Sequence, residues 1–177
     1  SEVIDAAARV PEDQISAAAD VITGANRVFL AGMGRSGFIS RAFANRLAHL
    51  GIAASFVGEP TTPPIAAGDV LVVTSGSGET ETLVQFGRKA LGAGAKIALL
   101  TSAGSTSRLR EMAAASVDIP GISRLSRGDV ASTVSEQPVG SLFEQLAWLA
   151  CDAIVMTIRD ATGQTNADLI ARHGNLE

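Results

Sequence analysis

A run of four apolar residues that leads directly into a loop of serine, glycine and threonine is the strongest constraint on the fold of this chain. The run is Val70–Val73, and the loop continues as Thr74-Ser75-Gly76-Ser77-Gly78-Glu79-Thr80. A short apolar run of this kind is typical of a strand that is buried on both faces, as in parallel sheets. Helical periodicity begins near Glu81, so the loop lies between the carboxyl end of a strand and the amino end of a helix. Ligands bind at this position in open α/β sheets.

The composition of this loop indicates a phosphate site. Ser75, Ser77 and Thr80 carry three hydroxyl groups, and Gly76 and Gly78 allow close approach of the backbone. The following helix adds unpaired N–H groups and a partial positive charge. A helix cap without a ligand would need only one hydroxyl. No lysine follows Gly78, which excludes a nucleotide P-loop. We therefore expect Ser75, Gly76, Ser77 and Thr80 to bind a phosphate group.

The rest of the chain alternates strand and helix patterns. Further apolar runs at 27–31, 53–57, 97–100 and 116–119 are predicted as strands, with amphipathic stretches between them. Such alternation builds right-handed βαβ units and a parallel sheet. The sequence therefore predicts a single α/β domain over 1–177, a parallel five-stranded sheet flanked by helices in a Rossmann-like three-layer arrangement. Pro11 is expected at the first position of the second helix, and Thr165 is expected to cap the last helix.

The longest helix is predicted over 138–159. Its apolar residues lie on nearly all sides, which is typical of a buried helix, and Trp148 and Cys151 are expected in the core. Because it contains Glu144 and Asp152, a buried helix explains it better than a membrane span does. In a chain of this size, part of such a surface is expected to meet another subunit.

The composition excludes several classes of protein. The net charge is −4 and no basic run is present, which argues against a nucleic-acid partner. A single cysteine excludes a disulfide framework and a multi-cysteine metal site. The stretch 1–19 carries acidic residues, unlike a signal peptide. We therefore expect a cytoplasmic protein with no membrane partner and no metal.

A dinucleotide-binding fold is the main alternative from the sequence. Gly32, Gly34 and Gly37 match the pattern G-x-G-x-x-G after the first strand, and Glu59 lies where a ribose-binding acid is sought. However, Pro60 follows Glu59 directly, and the second phosphate loop has no place in the dinucleotide fingerprint. The hydroxyl of Ser36 is therefore better assigned to the same phosphate-bearing ligand, together with Gly34 and Arg35.

The two loops together resemble the sugar isomerase (SIS) domain family over about residues 25–160. The complete Ser-x-Ser-Gly-x-Thr pattern of Ser75–Thr80 carries this resemblance, with Gly32–Gly37. The chain is also similar to one branch, the 6-phospho-3-hexuloisomerases, at 59–63, 137–145 and 172–177, although Gly174 stands where that branch suggests alanine or a similar small residue.

The resemblance implies a phosphosugar isomerase without a cofactor. The implied reaction interconverts D-arabino-3-hexulose 6-phosphate and fructose 6-phosphate in the ribulose monophosphate route of formaldehyde fixation. The implied pathway neighbour is hexulose-phosphate synthase. The implied assembly is a homo-oligomer, a tetramer or a dimer.

Such a reaction needs a base, donors for an enediolate oxygen and a grip on the phosphate. Glu144 is the best candidate for the base, because a carboxylate on an apolar helix is partly desolvated; the alternative is an acid that serves only the helix dipole. His173 is the second candidate, as a proton shuttle that could reach a neighbouring subunit, and the alternative is a solvated terminus. His49 is expected to be structural, and Glu79 and Glu81 are expected to serve the helix dipole.

The sequence alone does not decide the roles of two further features. Thr101 and Ser102 end the fourth strand on the ligand side, where contact with the ligand is as plausible as none. The stretch 121–137 shows no clear period and carries Arg124, Arg127 and Asp129; unstructured loops of this length are usually functional, so it is expected beside the active site.

Two rival functions remain. One is a different aldose–ketose phosphosugar isomerase on the same fold. The other is a non-catalytic phosphosugar-binding module, such as the sensing half of a regulator. A pure binder has no use for Glu144 as a base, so substitution of this residue separates the cases.

Overall fold

The structure is a computed structural model that describes residues 2–102, 106–121 and 135–176. Its sheet contains five parallel strands in the order β2-β1-β3-β4-β5. The strands are β1 (Val28–Gly32), β2 (Ala54–Phe56), β3 (Val70–Thr74), β4 (Lys96–Thr101) and β5 (Ala115–Asp118). This confirms the predicted parallel five-stranded sheet.

Helices cover both faces of the sheet. They are α1 (Glu2–Ala7), α2 (Glu12–Thr23), α3 (Arg35–His49), α4 (Glu81–Gly92), α5 (Arg108–Met112), α6 (Ser141–Ala161) and α7 (Asn166–Ala171). Alternate strand residues point to opposite faces: Leu30 and Val72 join the core under α2, α3 and α6, whereas Phe29 and Leu71 join the core under α4 and α5. The three-layer arrangement is therefore confirmed.

The strand order reverses between β1 and β3. From β1 the chain crosses to β2 on one side, and then returns over β1 to β3 on the other. In such doubly wound sheets, ligands bind where the strand order reverses, at the carboxyl ends of the strands. Gly32 at the end of β1 lies in register with Thr74 at the end of β3. The two glycine-rich loops therefore leave the sheet side by side at this point.

Three predicted helix ends can be compared with the structure. The long helix α6 begins at Ser141 rather than at 138, because Gly140 adopts a left-handed conformation (φ 91°) before it. Pro11 is the N-cap of α2, with an extended backbone, and not its first helical residue. Thr165 caps α7 as predicted, in a reciprocal capping box with Asp168.

The prediction that α6 is buried on nearly all sides is wrong. Its inner side is buried, and Cys151 lies in the core as expected, where burial raises the pKa of its thiol. Its outer side exposes Trp148 (46%), Leu149 (49%) and Met156 (54%), so Trp148 is not a core residue. By length and composition alone α6 could cross a membrane, but half of its apolar window is buried inside the fold. The helix therefore packs one side into the core and leaves large apolar side chains exposed on the other.

Candidate active site

Hydrogen bonds within the loop Ser75–Thr80 orient its two buried serine side chains. The Ser75 Oγ accepts the N–H of Gly78 and the Ser77 Oγ accepts the N–H of Glu79, each at 3.1 Å. A hydroxyl that accepts in this way still has its own hydrogen to donate. The loop therefore presents two preset O–H donors, which is the arrangement that an anion requires.

The loop is also fixed to the end of β4. The carbonyl oxygen of Gly76 accepts the Ser102 hydroxyl at 2.7 Å, the Ser102 N–H at 3.1 Å and the Thr101 hydroxyl at 3.3 Å. Both residues whose contact with a ligand the sequence leaves open, Thr101 and Ser102, therefore bond to the backbone of the loop.

Gly78 is the position in this loop that only glycine fits. Its φ is +63°, and a Cβ atom there would lie 2.3 Å from the Ser107 Oγ. Two residues later, Thr80 is the half-buried N-cap of α4 with an extended backbone. The N–H groups of the first turn of α4 have no partner within the helix, and Thr80 lies beside them. The loop thus combines hydroxyl donors with a helix amino terminus.

Glu79 has a direct partner, Arg108, in addition to its place beside the amino terminus of α4. Its carboxylate accepts the backbone N–H of Arg108 at 2.7 Å and the Arg108 Nε at 2.6 Å. The Nη1 of the same guanidinium lies 2.8 Å from Glu81. The two bonds from Arg108 to the Glu79 carboxylate, that of the backbone N–H foremost, lower the pKa of Glu79. Sequence reasoning missed Arg108, because it lies on α5, far along the chain from the loop.

The first loop is shaped by close backbone packing. A Cβ on Gly32 would lie 2.7 Å from the Ser36 carbonyl oxygen, and a Cβ on Gly37 would lie 2.8 Å from the Gly32 carbonyl oxygen. Gly34 is the N-cap of α3 with φ +56°. The glycine pattern therefore serves the tight approach of α3 to β1, which explains why it matches a dinucleotide fingerprint. Ser36 is half-buried in the first turn of α3.

Ser40 is a second residue that sequence reasoning missed. Its buried hydroxyl lies 3.2 Å from the carbonyl oxygen of Ala31 and 3.1 Å from the Thr74 Oγ1. It thereby ties α3 to the carboxyl ends of β1 and β3, where both loops begin. A serine inside a helix carries no sequence signal that distinguishes this role from a solvated one.

The structure brings two predicted residues, Arg35 and Glu144, into an ion pair. Arg35 is the first residue of α3, and Glu144 lies in the first turn of α6. The Arg35 Nε binds the Glu144 Oε2, and the exposed fraction of the side chain is 68% for Arg35 and 16% for Glu144. The pair lines a groove of about 460 Å³ between α3 and α6, with Phe38, Ile39, Gln145, Trp148 and Leu149.

The structure does not bring His173 to Glu144 within one chain. The His173 ring stacks on His49 with 4.8 Å between ring centroids. His49 is buried, as expected for a structural residue, and burial, followed by repulsion from His173 and Arg46, lowers its pKa. Since His49 ends α3 and Arg35 begins it, the two sites are separated by about 21 Å along the helix axis.

One predicted part of the site lies outside the described residues. It is the segment with Arg124, Arg127 and Asp129, of which the structure describes only 121 and 135–137.

Comparisons with known proteins agree with this architecture. The SIS domain model matches residues 21–147. The chain is 42% identical to a 3-hexulose-6-phosphate isomerase of Mycobacterium gastri, over 99% of this chain and 86% of the relative. It is 35% identical to the 3-hexulose-6-phosphate isomerase of Bacillus subtilis (strain 168), over 100% of this chain and 94% of that one.

A solved structure extends the agreement to three dimensions. It is a Methanococcus jannaschii protein whose structure was used to infer a function as 3-hexulose-6-phosphate isomerase. It superposes with a TM-score of 0.78 at 30% identity, over 93% of this chain and 86% of that one. The resemblance seen in the loops and the tail is therefore confirmed, and the chain belongs to the SIS domain family, in the group formed by the 3-hexulose-6-phosphate isomerases.

Proposed function

We propose that this protein, as one SIS domain over 1–177, interconverts D-arabino-3-hexulose 6-phosphate and fructose 6-phosphate. The observation that carries the proposal is the position of Glu144. Its side chain lies at the start of α6 and is only 16% exposed, and its carboxylate pairs with Arg35 on the wall of a groove. Arg35 begins the helix that follows β1, and β1 adjoins the strand that carries the serine loop. A base, a cation and an anion-binding loop thus belong to the same edge of the sheet.

The reaction moves a carbonyl group from C3 to C2 of the sugar. The Glu144 carboxylate takes the hydrogen on C2 as a proton, and the electron pair of that C–H bond forms a C2=C3 double bond, so that the C3 oxygen becomes an enediolate oxygen. The carboxylic acid then returns a proton to C3, and the O2 hydroxyl proton is transferred to the sugar O3. A positioned base of this kind typically contributes about 10²–10⁴-fold to the rate.

Arg35 supports this step electrostatically. The guanidinium contacts the carboxylate that acts as the base, so it lies close to the sugar carbons when they react. A positive charge that is fixed near a developing oxyanion stabilises the transition state more than the ground state. The same charge favours entry of the substrate phosphate.

The phosphate is held by the loop Ser75–Thr80. Ser75 and Ser77 donate their hydroxyl hydrogens, and the N–H groups at the start of α4 add further donors. Because the phosphate is remote from C2 and C3, its binding energy serves to position the reacting carbons.

A coupled assay tests the reaction directly. Hexulose-phosphate synthase would generate the 3-hexulose 6-phosphate from formaldehyde and ribulose 5-phosphate. Fructose 6-phosphate would be detected through glucose-phosphate isomerase and an NADP-linked dehydrogenase. We expect NADPH formation that depends on this protein. Without it, and with the synthase shown to be active, the proposal fails, and other phosphosugars would be screened by thermal shift.

We also propose a cellular location and an oligomeric state for the enzyme. We place the enzyme in the cytoplasm, directly after hexulose-phosphate synthase in the ribulose monophosphate route of formaldehyde fixation.

We also propose a homo-oligomer, a dimer or a tetramer, whose interface uses the open apolar face of α3 and α6. Phe38 (69% exposed) and Trp148 lie on that face beside Glu144. In such an assembly, His173 of one subunit would shuttle the hydroxyl proton in the site of its partner.

Trp148→Glu is expected to convert the oligomer to a subunit of 18.1 kDa, because a charge on the apolar face opposes its burial. Sedimentation velocity measures the change. Leu91→Glu is the matched control: Leu91 has a similar exposed fraction, 44%, but lies on α4 at the opposite face of the sheet. A Trp148→Glu variant that sediments like the wild type would exclude this face as the interface.

Co-expression of Glu144→Gln and His173→Ala subunits is expected to restore activity that each variant lacks alone. If each site takes Glu144 from one subunit and His173 from its partner, random pairing leaves about a quarter of the sites intact. The coupled assay on the purified mixture measures the recovery. A mixture as inactive as its components would show that His173 does not act in the partner's site.

A further inference from the structure

Arg108 makes four hydrogen bonds to the acidic end of the serine loop. Its backbone N–H and its Nε bind the two carboxylate oxygens of Glu79, at 2.7 and 2.6 Å. Its Nη2 binds the Glu79 carbonyl oxygen at 2.9 Å, and its Nη1 binds Glu81 at 2.8 Å. All three guanidinium nitrogens are therefore engaged with the loop and the start of α4.

The same region of α5 touches the loop at two other points. The N–H of Leu109 donates to the carbonyl oxygen of Gly78 at 3.2 Å. The side chain of Ser107 fills the space where a side chain on Gly78 would lie. The stretch 107–109 thus forms one wall of the loop, and Arg108 connects this wall to Glu79.

These contacts bear on the serine donors themselves. The Glu79 N–H is the group that orients the Ser77 hydroxyl, and the Gly78 N–H orients the Ser75 hydroxyl. Arg108 holds the Glu79 carbonyl, which shares a peptide plane with the Thr80 N–H. The Leu109 N–H holds the Gly78 carbonyl, which shares a peptide plane with the Glu79 N–H that bonds to Ser77. A free carboxylate at this place would also repel a phosphate dianion.

We propose that Arg108 is a positioning residue of the phosphate site, which holds the loop Ser75–Thr80 in its anion-binding conformation by clamping Glu79 and Glu81. It does so from α5, where three of its five guanidinium N–H groups bond to Glu79 and Glu81. This inference rests on the assignment of the loop to phosphate in the proposed function.

To bind Glu79 and Glu81 together, a side chain needs several donors in one rigid plane, which the guanidinium group supplies. A lysine ammonium is a single point donor on a flexible stem. It cannot reach the Glu79 carboxylate, the Glu79 carbonyl and Glu81 together. Arg108→Lys therefore keeps the charge but loses the geometry, whereas Arg108→Gln loses both. Arg159→Lys is the matched control, because Arg159 pairs with Asp160 at the far end of α6.

The experiment compares these variants in three measurements. These are KM and kcat in the coupled assay, the affinity for inorganic phosphate by calorimetry, and amide hydrogen exchange of a peptide that covers 75–80. We expect Arg108→Lys and Arg108→Gln to raise KM and weaken phosphate binding by about tenfold, the equivalent of one hydrogen bond to a charged group. We expect kcat to change by less than about twofold, and exchange at Gly78 and Glu79 to accelerate.

The outcomes separate this inference from the proposed function. Wild-type KM, phosphate affinity and exchange in Arg108→Lys would overturn the positioning role and leave the reaction intact. A loss in Arg108→Gln alone would assign to Arg108 only the neutralisation of charge, and would also overturn it. Failure of the wild-type protein to bind phosphate or turn over the sugar would overturn the proposed function, and the inference with it.

Discussion

Glu144→Gln is expected to lower kcat by about 10²–10⁴-fold, the contribution of a positioned general base. The amide has nearly the same shape as the carboxylate and still accepts a hydrogen bond from Arg35, but it cannot take the proton from C2. Because the Arg35 side chain is 68% exposed, water replaces the lost ion pair, and the stability of the fold should change little. The coupled assay measures kcat, and stabilisation by fructose 6-phosphate in a thermal shift experiment measures binding.

A control on the same helix makes this result specific. Asp152 is 44% exposed and faces Arg46 at 4.0 Å, so Asp152→Asn also removes an acid of α6 from an ion pair with α3. We expect this variant to retain wild-type turnover. Unchanged kcat in Glu144→Gln would remove Glu144 from the mechanism. Lost ligand stabilisation would instead assign it to binding.

Ser77→Ala is expected to raise KM by about 10–100-fold with little change in kcat. A hydrogen bond to a charged group contributes about 1.5–3 kcal/mol, and tenfold in affinity corresponds to about 1.4 kcal/mol. The substitution removes the hydroxyl donor and also the acceptor of the Glu79 N–H. Ser16→Ala is the control, since Ser16 lies on the exposed side of α2 and its hydroxyl donates to the carbonyl oxygen of Glu12. Wild-type KM in Ser77→Ala would disprove the phosphate assignment of the loop.

The two variants together address the rival functions. An isomerase loses turnover in Glu144→Gln and affinity in Ser77→Ala. A non-catalytic phosphosugar-binding module would show no turnover in the wild type and would lose affinity only in Ser77→Ala. An isomerase for a different phosphosugar would respond to both substitutions once its substrate was supplied.

Much of the fold was predictable because it depends on local patterns. The apolar run Val70–Val73 predicts a strand buried on both faces, and the structure places all of it in the core. Thr165 predicts a helix start because a capping hydroxyl acts within three residues of chain. The position of the Ser75–Thr80 loop was likewise predictable, since an apolar strand pattern ends before it and a helical pattern begins after it.

The errors arose where a local pattern does not fix the environment. Trp148 was expected in the core because α6 is apolar on most sides. However, the sequence of a helix does not specify how many other helices and strands pack against it. Arg108 was not identified as a partner of Glu79, because it lies 29 residues away in the sequence. The start of α6 was placed too early because Gly140 gives no signal of its left-handed conformation.

The sequence by itself determined the alternation of strands and helices, the two glycine-rich loops and the residue types of a phosphosugar site. Only the tertiary structure decided that Arg35 pairs with Glu144, that Arg108 bonds to the end of the serine loop and that His173 lies at the far end of α3 from Glu144. The physical reason is the range of the interactions. Periodicity, caps and turns act over a few residues of chain, whereas an ion pair or a clamp depends on strand order and helix packing, which bring distant residues together.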